Sequence, residues 1–124
     1  MMLTHVGRRS GREYRTVLEV IKFDLASREV VVVAGLGRSC DWYRNIQAHP
    51  PVEVAIGRER FRPVVRDLDE DEAVAALAEY ERRNWRVTPV VRRMLTWLVG
   101  WHYDGSELAR RRLVRQLPVV AFTP

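Results

Sequence analysis

The sequence predicts an α+β fold built on a small β-barrel, mostly antiparallel strands with interrupting helices. Three observations carry this. Apolar, β-branched stretches come in pairs joined by short polar turns, which is hairpin patterning. Stretches with helical spacing interrupt these pairs without alternating with single strands, which argues against a doubly wound sheet. A last apolar run, Leu117 to Thr123, follows the helices and returns the chain to the sheet.

Taken in order, Leu3 to Val6 is a short apolar strand ended by a glycine-punctuated basic turn. Tyr14 to Leu25 alternates as one strand, with Val17, Glu19, Ile21, Phe23 and Leu25 on one face. Ala26-Ser27 turns it into Arg28 to Ala34, where Val30 to Val33 is too apolar for a strand open to solvent on one side. Gly35-Leu36-Gly37-Arg38-Ser39 breaks that strand, and Ser39 can cap a helix that runs to about Ala48 and stops at Pro50-Pro51. A second hairpin pairs Val52 to Ile56 with Arg60 to Leu68 around Gly57-Arg58.

Asp69, with Glu72 three residues on, reads as a capping box for a helix from about Glu70 to Arg83. Thr88-Pro89 starts an unusually apolar helix through Val99, since proline is favoured in a first turn. Its composition reads as a core element, with a hydrophobic lid or a homodimer face as the alternatives. Asp104-Gly105-Ser106 turns the chain into a short basic helix from Glu107 to Arg115.

The 124 residues fit a single domain, 1–124, with one core. No stretch approaches the roughly 18 unbroken apolar residues of a membrane span, and no leader is visible at the N-terminus, so the expectation is a cytoplasmic protein without an integral membrane segment. Cys40 is the only cysteine, which excludes dithiol chemistry. His5, His49 and His102 lack metal-ligand spacing, and no metal is expected. The net charge of +5 rests almost entirely on arginine, because Lys22 is the only lysine. The arginines gather in glycine turns without an interleaved aromatic platform, so nucleic acid is not the expected partner.

Two clusters carry chemistry. Gly7-Arg8-Arg9-Ser10-Gly11-Arg12-Glu13-Tyr14-Arg15-Thr16 presents several guanidinium forks and freed backbone N–H groups, a setting for phosphate or carboxylate. A solvated hairpin loop is the plain alternative. The Gly35–Ser39 loop offers a helix N-terminus, where orphan N–H groups and the helix dipole favour an anion; its alternative is an ordinary turn. Trp42 and Asn45 sit in the first turns of the helix that follows, either as core or beside a planar heterocycle. Together the two loops suggest a phosphorylated cofactor.

Leu3-Thr4, Gly7-Arg8-Arg9-Ser10-Gly11 and Arg15-Thr16, followed by Asp41-Trp42-Tyr43-Arg44-Asn45, Ala48-His49-Pro50, Val52-Glu53-Val54 and Leu117-Pro118-Val119-Val120, resemble the ordered motifs of the deazaflavin-dependent nitroreductase family. The resemblance implies a split β-barrel of the FMN-binding type. It also implies coenzyme F420, a deazaflavin with a phosphate and an oligoglutamate tail, and hydride transfer to a small-molecule acceptor such as a nitroaromatic, quinone or enone.

Carried over by position, Arg8, Arg9, Ser10, Arg15 and Thr16 fall on the family's anion-binding turn. Gly35, Gly37, Arg38 and Ser39 fall on its second phosphate loop, and Trp42 and Asn45 on its cofactor-side positions. The family's substrate-facing tyrosines are matched only by Tyr103, which becomes the candidate proton donor beside His102 or solvent. FMN is the alternative cofactor, and a protein that binds F420 or another amphipathic anion without turning it over is the alternative in function.

Overall fold

The structure, a computed structural model, describes residues 1–124. Eight strands and four helices follow in the order β1 (Met2–Val6), β2 (Glu13–Val17), β3 (Val20–Phe23), β4 (Val30–Val33), α1 (Asp41–Ala48), β5 (Glu53–Ile56), β6 (Glu59–Phe61), β7 (Val64–Asp67), α2 (Glu70–Arg83), α3 (Thr88–Val99), α4 (Glu107–Gln116) and β8 (Val119–Thr123). All pairings are antiparallel, within two four-stranded sheets ordered β2-β1-β5-β6 and β3-β4-β8-β7. The fold is α+β and split-barrel-like, with the sheets remaining separate and not closing into one barrel.

Two stretches that read as single strands each divide between the sheets. The run from Tyr14 to Leu25 becomes β2 in the first sheet and β3 in the second. The break falls at buried Leu18, whose N–H donates to the Met1 carbonyl at 2.9 Å and whose carbonyl accepts from the Met1 ammonium at 3.0 Å. These reciprocal bonds continue the β1–β2 register by one pair, Met1 opposite Leu18, so the first sheet holds the chain to this point and β3 begins at Val20. Beyond the break Ile21 is buried, while Val17 and Leu25 stand in solvent, so the single face read across all five positions does not hold. Arg60 to Leu68 divides in the same way into β6 and β7, around Pro63, which has no N–H for a ladder.

The second sheet is covered on both faces, which accounts for its unbroken apolar runs. Val30 and Val32 of β4, with Val120 and Phe122 of β8, pack against Leu3, Val54, Trp42 and Ile46. Val31, Val119 and Ala121 point the other way, into a core with Leu77, Leu95, Leu113 and Leu117 from the helical half. The β4–β8 register places like-facing residues opposite one another, Val30 with Phe122 and Val31 with Ala121. A one-residue slip would send each row into the wrong core.

Helix boundaries follow local chemistry closely. Asp69 accepts from the Glu72 N–H at 2.9 Å and Glu72 returns a bond to the Asp69 N–H, the reciprocal cap read from the sequence. Ser106 caps α4 by accepting from the Ala109 N–H. At α1 the cap position falls on Cys40, with no side-chain cap, so Ser39 does not perform the role read for it. Helix α3 differs more. Leu95 and Val99 are buried, but Val90, Met94 and Trp97 face outward, and the helix is only half a core element.

The helical half is tied by one buried carboxylate. Glu81 of α2 is 4% exposed. Its Oε2 accepts from Arg110 Nε of α4 at 2.7 Å and from the Tyr103 hydroxyl at 2.9 Å, and its Oε1 from Arg92 Nε of α3 at 3.5 Å. Burial makes this charge dependent on its partners. Glu81→Ala is expected to cost roughly 3 kcal/mol, toward the low end for breaking a buried pair because both arginines reach solvent. A urea midpoint lowered at unchanged slope checks this, and an unmoved midpoint refutes it.

Candidate functional site

The glycine-basic turn is the loop of the β1–β2 hairpin. Gly7 N–H donates to the Arg12 carbonyl at 2.8 Å, Gly11 N–H to the Gly7 carbonyl at 3.0 Å, and Arg12 N–H to Ser10 Oγ at 3.2 Å. A β-carbon on Gly7 would lie 2.5 Å from Ser10 Oγ and 2.9 Å from Tyr14 Cε2. Only glycine lets the loop fold down onto the Tyr14 ring.

Helix α1 carries Asn45 beneath this loop, 3% exposed. Asn45 Oδ1 accepts from Arg8 N–H at 3.1 Å and from Arg8 Nη1 at 2.9 Å. That assigns the amide: Nδ2 points the other way and donates to His5 Nδ1 at 3.0 Å. An Nδ1 that accepts leaves the proton of a neutral ring on Nε2, which donates to Thr16 Oγ1 at 2.9 Å. His5 is buried and stacked on Tyr14 at 5.9 Å between centroids. Burial holds its pKa below the ordinary 6.5, against an opposing pull from Asp41.

Around this network lies a cavity of about 590 Å³, within the range of small-molecule sites. Arg8, Arg9, Ser10, Arg15, Thr16, Trp42 and Asn45 all line it. Gly7, Tyr14, Leu36, Cys40, Asp41 and His5 complete the wall. Trp42 does double duty: it is 9% exposed, belongs to the core between the sheets, and meets Tyr43 edge-on at 6.0 Å. The Cys40 thiol is pushed up by burial and stays protonated at neutral pH, so it is no thiolate nucleophile.

The three cavity arginines are not equivalent. Arg8 is engaged by Asn45 and by Asp41 Oδ1 at 3.3 Å, and its Nε is a buried nitrogen without an acceptor. Arg9 and Arg15 form no side-chain bond within the protein, so their forks are free for a ligand anion. Arg12 is exposed and lies off the cavity wall.

Other expected residues lie elsewhere. Arg38 Nη1 donates to the carbonyls of Arg115 at 3.1 Å and Gln116 at 3.4 Å, at the negative end of α4. Its guanidinium is drawn away from the cavity by that dipole. Gly35, Gly37 and Ser39 also fall outside the cavity wall, although Leu36 between them lies on it. Gly37 spends its N–H on Ala34 and its carbonyl on Cys40 within the turn itself, so the loop does not open as an anion nest.

Tyr103 is 1% exposed, in the helical core on the far side of the central sheet. Its hydroxyl is held by Glu81 and its pKa is raised by burial, so it cannot serve this cavity as a proton donor. The residues missed by sequence reasoning are His5, Tyr14 and Asp41. For His5 a signal existed: a polar ring on an inward-facing position of a short apolar strand needs partners.

Comparison with known proteins bears on this site. A family model described as F420H(2)-dependent quinone reductase matches residues 1–96, a span that contains every cavity-lining residue. A solved F420-H2 dependent reductase, FDR-A, superposes with a TM-score of 0.53 at 21% identity, covering 98% of this chain and 91% of that one. A second, described as a domain-swapped dimer, gives a TM-score of 0.53 at 20% identity over 98% of this chain and 77% of that one. At these identities the likeness is one of fold. No curated protein matches the chain.

The His5 network has a pH signature. Because its folded-state pKa lies below the ordinary value, the unfolded chain takes up a proton on His5 before the native protein does. The stability contributed by neutral His5 is complete above about pH 6.5 and is lost as the pH falls toward the folded-state value. Melting temperatures are expected to drop between about pH 7 and pH 5, and to drop less steeply in His5→Gln, which cannot titrate. Equal slopes would remove His5 from the energetics of the network.

Proposed function

The chain belongs to the F420H2-dependent quinone reductase family, an oxidoreductase family whose cofactor is coenzyme F420, and on that premise we propose that the β1–β2 cavity seats F420 and admits a quinone-type acceptor beside it. The observation that carries this is the convergence of the hairpin turn and the first turns of α1 on one cavity, with Arg9 and Arg15 unpaired. The donor set suits a phosphate and an oligoglutamate tail. It offers two planar cations, the Ser10 hydroxyl, and the buried Arg8 Nε that lacks an acceptor.

When bound, the reduced deazaflavin supplies the hydride. The protein's own residues bind and orient. Arg9 and Arg15 hold the anionic tail, while Arg8, occupied by Asn45 and Asp41, fixes the turn that carries them. Trp42 and Leu36 give the cavity apolar walls for the ring system. Thr16 Oγ1 already accepts from His5, so its own hydroxyl proton is free to be donated to a ligand atom. Nitroaromatics and enones are acceptors of the same class, two-electron hydride sinks of low polarity.

Titration of F420 into the purified protein, followed by deazaflavin absorbance and fluorescence, tests the assignment. Arg9→Ala and Arg15→Ala are each expected to weaken binding roughly ten- to hundredfold, as the loss of a charge-assisted bond implies. FMN, run in parallel, is expected to bind more weakly. Unchanged F420 affinity in the double variant would overturn the reading. Tyr103→Phe is expected to retain wild-type turnover of a quinone, because its hydroxyl is buried on Glu81 away from the cavity.

A further inference from the structure

Helix α3 is apolar on both sides, and only one side is covered. Leu95 and Val99 pack inward, while Trp85, Val90, Met94 and Trp97 are exposed by 67, 69, 46 and 79%. Val90, Met94 and Trp97 follow one another at steps of four and three, which places them in a single stripe along the helix. Trp85 is exposed in the turn ahead of it. Three large apolar side chains on one helix face, with an exposed tryptophan in the turn before it, is more than scattered surface hydrophobicity accounts for.

Apart from Asp104, which shares a pocket with Arg92 and Arg93, the charge around the stripe is of one sign. From Arg82 to Tyr103 the sequence holds five arginines and no carboxylate. Arg83 and Arg92 turn inward, to the Ile21 carbonyl and to Glu81. Arg82, Arg86 and Arg93 remain exposed with no carboxylate partner, and the Arg86 guanidinium lies over the Trp85 ring at 5.3 Å. An apolar stripe bearing a tryptophan and flanked by arginines matches the chemistry of an anionic lipid interface. A second copy of the chain fits worse. Twofold pairing through this face would bring the arginine rims together with no carboxylate in the segment to offset them.

We propose that α3 and Trp85 form a peripheral docking surface for an anionic lipid bilayer. The helix lies in the interface and does not cross it, since no helix is long and apolar enough to span a membrane. The geometry also orients the cavity. Leu98 of α3 packs on Gly35, where a β-carbon would stand 3.5 Å from its Cδ1. The next residue, Leu36, is 75% exposed and lines the cavity. A bilayer against α3 thus lies beside one wall of the site, where an apolar acceptor dissolved in lipid has a short path. The docking itself does not depend on the acceptor reading.

Co-sedimentation of the full chain with vesicles tests this, using phosphatidylglycerol and phosphatidylcholine in equal parts against phosphatidylcholine alone. The anionic vesicles are expected to bind the protein, shift its tryptophan emission to the blue, and release it as salt is raised. Val90→Glu and Trp97→Ser are each expected to lower partitioning about tenfold or more. Arg93→Glu is expected to lower it several-fold on anionic vesicles only. Circular dichroism and F420 affinity serve as controls and are expected to stay at wild-type values, which separates failure of docking from failure of the cofactor assignment. Equal binding to both vesicle types, or wild-type binding by Val90→Glu and Trp97→Ser, would overturn the proposal. So would a lipid-free dimer in sedimentation that these two substitutions abolish.

Discussion

The cavity depends on the direction of a single carboxamide. Asn45 has an oxygen on one side and a nitrogen on the other, and the Arg8 backbone N–H settles which faces the hairpin turn. Once that is fixed, the His5 tautomer and the donor to Thr16 are fixed with it. The three groups come from three elements, the β1–β2 loop, α1 and β1, so the amide sets their relative position as well as their protonation. Rotating it by half a turn would oppose its N–H to the Arg8 backbone N–H and to Arg8 Nη1, neither of which can accept, and would force His5 into the other tautomer. The Arg8 donors would then lack an acceptor, at about 1–3 kcal/mol apiece.

The central sheet separates this site from its support. One face of β4 and β8 belongs to the core beneath the cavity, the other to the helical half knit by Glu81. Substitutions near Glu81 therefore act on stability, and those near Asn45 act on the site. Carboxylates in the helical half hold Arg92 and Arg110 on Glu81 and Arg111 and Arg115 on Glu70, whereas Arg9 and Arg15 at the cavity turn have no such partner.

Features set by neighbouring residues were legible in the sequence. The α2 cap depends on two side chains three residues apart, and the basic turn is a contiguous motif, so both could be read directly. Side-chain destinations were not. Arg38 is claimed by carbonyls 77 residues away, and Tyr103 by a carboxylate on another helix. The strand divisions at Leu18 and Pro63 were hidden because both halves of each run share the same β propensity and differ only in which sheet receives them. Composition made α3 look like core; which half of an evenly apolar helix meets neighbours is decided by packing alone.

The run from Arg8 through Asn45 and His5 to Thr16 has a property beyond its rigidity: it is polar in one sense and has no exchangeable link in the middle. A guanidinium does not release its proton at any working pH, and an amide N–H does not pass one along. The imidazole is thus wired to a partner that cannot resupply it, and the row polarises the Thr16 hydroxyl without conducting to it. Under the proposed quinone reduction the proton that accompanies the hydride is not resupplied along this row, and the Thr16 end of the cavity draws on solvent at its open mouth. Solvent isotope effects and buffer catalysis, not the titration of an internal acid, are then the natural language for this half of the reaction.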